Sequence, residues 1–298
     1  RECKVLGIAS SKGLSAEILA KNFKIKNKYS TEEDILNAEE IDAVLILTPH
    51  YNHSDLVIKA LNKGKAVYVE KPLALDMQSI TDIEESIYRS ENPKLFIGFN
   101  RRFSKSAQFI KQKLVDSSAN SINIRFSVPP LDSDHWTNIK EIGGGRIVGE
   151  AVHGIDLACY LFDSLPQSIS ASAPIDKTNN MVKDNQVFLN INFANGSHAS
   201  LQYFSEANQI LSKERVEVHG EGNSYILEDF RMLRFLEGSQ DRSKTFSSGK
   251  GHKESLGIFF DYVRDKSQNP FTWEEIKAVS KAAIIAQNHI NSGQQHRV

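Results

Sequence analysis

Lys71 stands in Glu70-Lys71-Pro72, directly after the apolar run Ala66-Val67-Tyr68-Val69. If that run is a parallel strand, Lys71 sits at its C-terminal end, where open parallel sheets place their ligands. An ammonium there can hydrogen-bond a reacting hydroxyl and stabilise developing alkoxide charge, and a lysine can also trade the proton itself. The alternative is a surface lysine on a turn fixed by Pro72. His153 and Asp156 lie three apart in a stretch of helical periodicity, so they share a helix face. A carboxylate beside an imidazole can orient the ring or hold its proton; the alternative is a pair on a helix surface. The adjacent Arg101 and Arg102 can grip a carboxylate or phosphate, with solvated surface an equal alternative for Arg101. His135 and His153 have no companions at zinc-ligand spacing, and Cys3 and Cys159 make neither a disulfide framework nor a four-cysteine zinc site. No metal is expected.

These residues need elements to position them. Over the first hundred residues, β-rich runs at 4–9, 43–47, 66–69 and 94–98 alternate with helical stretches at 15–23, 54–62 and 76–90. Ser30-Thr31-Glu32-Glu33 reads as a capping box opening a further helix through Leu36. This rhythm predicts a parallel sheet covered by helices on both faces. Beyond residue 120 the pattern changes. Strands are expected at 121–128, 167–173, 185–193, 198–205, 215–219, 224–228 and 232–235, with a helix at 149–162 and closing helices at 253–266 and 272–292. The fold class is therefore α/β. A Rossmann-type parallel sheet occupies residues 1–120, and an α+β domain with a large, mostly antiparallel sheet occupies 121–298.

Composition limits the function. Thirty-six basic residues against 37 acidic ones leave a formal charge of −1 over 298 residues, so no nucleic-acid partner is expected. No apolar run is long enough to span a membrane, and two cysteines point to a reducing cytoplasm. A strand, Gly-rich turn and helix that would hold a pyrophosphate is not found. Gly220-Glu221-Gly222-Asn223 is followed by another strand, so it reads as a hairpin turn, and Gly143-Gly144-Gly145 reads as a bend close to a ligand or a flexible hinge.

Four segments in register carry a family resemblance: Leu47-Thr48-Pro49 with His53; Glu70-Lys71-Pro72; Gly98-Phe99-Asn100-Arg101-Arg102-Phe103; and Gly143-Gly144-Gly145 followed by His153 and Asp156. Together they resemble the Gfo/Idh/MocA oxidoreductases over essentially the whole chain. A more particular resemblance, through residues 10–16, His135-Trp136, 143–150 and Lys213-Glu214-Arg215, is to the dehydrogenase half fused behind a zinc-binding alcohol-dehydrogenase-like half in bacterial polysaccharide gene clusters. It implies that a first strand, Gly-rich loop and first helix lie upstream of Arg1; the alternative is a chain that natively lacks a phosphate loop.

The resemblance implies hydride transfer between a nicotinamide cofactor and a sugar or polyol carbon. It makes Lys71 the catalytic lysine, His153 its acid/base partner and Asp156 a substrate or orienting ligand. It also implies that Leu47, Thr48, Pro49, Glu70, Lys71, Asn100 and Arg102 line the cofactor. His53 either does so too or takes a core hydrogen-bonding role. Arg101, Trp136, Arg146, Lys71 and His153 are expected to face substrate, with core packing an even alternative for Trp136. Many members carry an aspartate four residues before the histidine; here that position is Gly149. On a regular helix Glu150 points about 100° away. Either a local kink brings Glu150 in, or the catalytic set is smaller. The strand over 4–9 ends in Ser10-Ser11-Lys12, with no carboxylate for a ribose, so NAD or NADP is expected with a slight preference for NADP. A cytoplasmic homodimer or homotetramer is expected. The alternatives are a non-catalytic dinucleotide- or sugar-sensing or scaffolding member of the same fold, and a structural half of a fused enzyme.

Overall fold

The computed structural model describes residues 3–10, 13–114, 121–132, 134–174, 184–208, 210–247 and 249–292. Five short parallel strands form the N-terminal half: β1 (Gly7–Ala9), β2 (Asn27–Tyr29), β3 (Ala43–Ile46), β4 (Ala66–Val69) and β5 (Leu95–Ile97). Between and after them run α1 (Gly13–Phe23), α2 (Glu32–Asn37), α3 (His53–Asn62), α4 (Met77–Arg89) and α5 (Lys105–Lys113). The parallel strands form two sheets, β1–β2 and β3–β4–β5. β4 is central in the second and buried at all four positions, as its unbroken apolar run dictates. α4 starts on Asp76, whose carboxylate accepts from the Ser79 N–H at 2.8 Å. The capping box of α2 is one residue later than expected, with Thr31 and Asp34 bonding reciprocally.

The rest of the chain builds one eight-stranded sheet in the order β13-β12-β11-β10-β6-β9-β8-β7. Its strands are β6 (Ser121–Ser127), β7 (Pro166–Ser172), β8 (Gln186–Phe193), β9 (His198–Phe204), β10 (Glu214–Gly220), β11 (Asn223–Glu228), β12 (Met232–Glu237) and β13 (Gln240–Thr245). All pairings are antiparallel except β6 with β9. Strict alternation in β8, where Val187, Leu189, Ile191 and Phe193 are buried and the residues between are exposed, leaves one covered and one open face. On the covered side α9 (Trp273–Asn291) lies against β7 and α7 (Val152–Phe162) against β9, in a core shared with the parallel sheet, while α8 (His252–Val263) lies against the turn after β5 and the short α6 (Lys140–Gly143) against the turn after β3. The expected turn between β10 and β11 is a hairpin, with Glu221 and Gly222 both at positive φ. Of the two readings of Gly143–Gly145, a bend close to a ligand or a flexible hinge, the structure has the bend, in a packed turn. Gly144 and Gly145 adopt φ of +79° and +94°, and a Cβ added at them would overlap the Leu75 and Gln287 side chains respectively. No helix among the described residues is long and apolar enough to cross a membrane.

Candidate active site

The C-terminal ends of β3 and β4 carry the site. Lys71 follows β4, and its Nζ donates to the Gly149 carbonyl at 2.5 Å and to Glu150 Oε1 at 3.2 Å. Regular α geometry would not bring Glu150 there. The structure supplies the kink: residues Ile147–Ala151 form a π turn, in which the Val152 N–H reaches back five residues to the Ile147 carbonyl. The extra residue swings Glu150 round to Lys71. Burial opposes the Glu150 charge, but Lys71 outweighs it and holds the carboxyl below its usual range.

His153 opens α7 directly after the π turn and is buried. Its Nδ1 has no hydrogen-bond partner among the described residues. Burial, reinforced by the positive charges of Arg101, Lys71 and Lys250, keeps the ring well below the ordinary histidine pKa. These surroundings favour the neutral imidazole.

Other expected residues are held by protein partners. Arg102 and Asp156 form a buried two-pronged pair at 3.2 and 2.5 Å, with Glu275 beside it and the Phe271 ring 4.5 Å beneath the guanidinium. Arg102, expected at the cofactor, and Asp156, expected at the substrate or the histidine, here meet each other inside the core. Burial pushes the Asp156 carboxyl up to about 6, against the pull of Arg102. Arg101 likewise grips Glu214 through Nε and Nη2 at 2.7 and 2.8 Å, and Lys250 pairs with the same carboxylate. Asn100 donates to the Lys250 carbonyl at 2.7 Å and lies beside the His252 ring. The Arg146 guanidinium turns back onto Thr137 and Asn138, so it braces the loop carrying Trp136.

His53 takes the core role. Its ring nitrogens face the Pro72 carbonyl at 2.6 Å and the Thr48 carbonyl at 2.9 Å, so the turns after β3 and β4 are stapled together. Burial lowers its pKa, and a neutral ring donates to only one of the two carbonyls. Burial raises the Glu70 carboxyl, beside Lys71. Ser10 follows β1; Ser11 and Lys12 lie outside the described residues.

A nicotinamide cofactor fits the residues present at the ends of β3 and β4. The Thr48 hydroxyl is buried there with no partner among the described residues, which leaves a polar atom for a ligand to satisfy. Leu47 beside it exposes its apolar side chain. Sequence reasoning missed His50, Glu214, Lys250 and His252. His50 sits inside the Thr48–His53 segment and Glu214 inside Lys213-Glu214-Arg215, so those segments were the available signals; Lys250 and His252 form no local pattern. Among the described residues, no group of three or more His, Cys, Asp or Glu side chains is arranged to hold a metal.

Residues 1–99 match a family profile described as "Oxidoreductase family, NAD-binding Rossmann fold", and residues 118–226 match "GFO/IDH/MocA C-terminal domain". An inositol 2-dehydrogenase from Rhizobium meliloti is 28% identical over 82% of this chain and 80% of its own length. The fold matches an oxidoreductase domain protein from Kribbella flavida with a TM-score of 0.84, at 14% identity over 98% of this chain and 89% of that one. It also matches a levoglucosan dehydrogenase solved with NADH and levoglucosan, with a TM-score of 0.80, at 21% identity over 96% and 88%.

Proposed function

The chain belongs to the Gfo/Idh/MocA family of oxidoreductases, and from that premise we propose that it is an NAD(P)-dependent dehydrogenase acting on a CH–OH group of a sugar or sugar derivative. The observation that carries this reading is the Lys71 ammonium, held between the Gly149 carbonyl and Glu150 at the end of a parallel strand, with neutral His153 on the following helix. A bound nicotinamide supplies or takes the hydride. Lys71 hydrogen-bonds the reacting oxygen and stabilises its charge as the O–H proton leaves. His153 accepts that proton in oxidation and returns it in reduction. Glu150 holds and aims the Lys71 ammonium, while Thr48, Pro49 and Glu70 shape the wall against which the cofactor lies.

Residues 1–120 serve the cofactor and 121–298 the substrate. The carboxylate-free Ser10-Ser11-Lys12 segment supports a slight preference for NADP. The substrate is one of polysaccharide metabolism, in a cytoplasmic homodimer or homotetramer built on the open face of the large sheet. Fluorescence titration with NADH and NADPH tests the reading. Binding of at least one, competed by the oxidised form, is expected; binding of neither overturns the dehydrogenase reading and leaves the sugar-sensing or scaffolding alternative.

A further inference from the structure

His50 has no part in the chemistry above, yet it touches three pieces of the site. It stands on the turn after β3 and is buried. Its Nδ1 donates to the Gly143 carbonyl at 2.8 Å, across 93 positions of chain. That bond fixes the tautomer, with the proton on Nδ1. Trp136, on the same loop as Gly143, meets the ring edge-on with centroids 4.8 Å apart at 81°. The ring also rests on the π turn: a Cβ placed on Gly149 would stand 3.2 Å from the His50 Cε1. Gly149 is the residue whose carbonyl receives Lys71. Burial pushes the ring down to about 4, so it stays neutral and keeps this tautomer near pH 7.

We propose that His50 is a positioning residue: it fastens the loop carrying Trp136 and Gly143 to the turn after β3, and through Gly149 it keeps the π turn seated on Lys71. The inference rests on the reading of Lys71 as the reacting lysine, and the geometry gives His50 no contact with reacting atoms. Its fastening joins the wall that faces the cofactor to the wall that faces the substrate. A substrate then meets a closed pair of walls rather than a loose loop.

Two substitutions separate the hydrogen bond from the bulk of the ring. Asparagine presents an amide N–H where histidine has Nδ1–H, so His50→Asn keeps the donor to Gly143. His50→Gln places its amide further out and removes that donor. The full-length polypeptide is followed by amide hydrogen exchange over residues 136–145, by the acylation rate of each lysine, and by NADH titration. His50→Gln is expected to speed exchange in that loop roughly tenfold, the factor equivalent to about 1.4 kcal/mol. It should also raise acylation of Lys71 severalfold relative to exposed lysines. His50→Asn is expected to restore both to near the wild-type values, a rescue that loss of packing alone would not give. Should His50→Gln fail to fold, His50→Ala serves as the variant without the donor. Equal behaviour of the Asn and Gln variants, whether both unchanged or both disturbed, overturns the proposal. So does faster loop exchange with no change at Lys71. NADH titration of the wild type separates the two levels: failure to bind NADH and NADPH overturns the dehydrogenase reading, while exchange and acylation still decide the fastening.

Discussion

Lys71 and the Arg102–Asp156 pair are both cationic groups bonded to carboxylates, and burial decides that they do different work. The Lys71 side chain retains some exposure and takes one of its bonds from a backbone carbonyl, leaving the ammonium donor capacity to spare. Replacing it by alanine should lower turnover by roughly 10²–10⁴, the range of acid–base and charge stabilisation by one side chain, while leaving the NADH dissociation constant nearly unchanged. Arg102 and Asp156 are about 3% and 1% exposed. Removing one partner strands the other's charge in the core. Asp156→Ala should therefore cost about 3–5 kcal/mol of stability in a denaturant titration. A variant of unchanged stability that had lost only turnover would return Asp156 to the chemistry. The sequence singled out Lys71 and His153 as candidates because their neighbours form local motifs, and left the part of Glu150 open. It could not show that Arg102 meets Asp156, or His50 meets Gly143, because those partners lie 54 and 93 positions apart.

At the level of elements, the π turn and α7 explain how a chain with glycine at position 149 still puts a carboxylate on Lys71. One extra residue in the turn moves Glu150, and Gly149 leaves room for the His50 ring. α7 then crosses the large sheet at close range: a Cβ on Gly154 would overlap the Leu201 side chain and stand 3.1 Å from the Phe126 ring. Gly154→Ala should destabilise the fold by about 1–3 kcal/mol through overpacking, despite alanine's better helix propensity; a melting temperature raised by the substitution would contradict this packing. The long strands and capped helices were legible from period and end signals. β2, with three residues of Asn-Lys-Tyr, was not, since nothing apolar marks it. β13 is exposed at every position and is defined by pairing with β12 alone, so it carries no hydrophobic pattern to read. The polar helix α5 was also missed. Its register comes from the Ser104 cap, bonded to the Ala107 N–H, and from burial of Ala107 and Ile110.

For the molecule as a whole, acid should act through the buried histidines. His50, His53 and His153 are buried, and burial is the first cause lowering the pKa of each. A histidine depressed in the native state contributes stability above its unfolded pKa of 6.5 and loses it as pH falls towards the native value, about 4 for His50. The unfolded chain takes up the proton first. Near pH 5 His50 should already have given up about 2 kcal/mol, a loss that His50→Asn cannot suffer. The stability gap between the two proteins should thus narrow by about that amount between neutrality and pH 5, as denaturant titrations at each pH would show; a constant gap would contradict the buried, neutral ring. The two-part architecture was legible because the period changes at one place, near residue 120. The division of the parallel strands into two sheets was not, because pairing is a property of tertiary arrangement rather than of any run. The central claim is that Lys71 at the end of β4 serves hydride transfer on a sugar or polyol. The most direct test follows nicotinamide absorbance on mixing the full-length polypeptide with NAD or NADP and a panel of polyols and anhydrosugars, including myo-inositol and levoglucosan, beside Lys71→Ala. The account predicts reduction of the cofactor with at least one substrate, abolished in Lys71→Ala although that variant still binds NADH or NADPH. Turnover that survives the loss of Lys71, or a wild-type protein that binds neither cofactor, would contradict it.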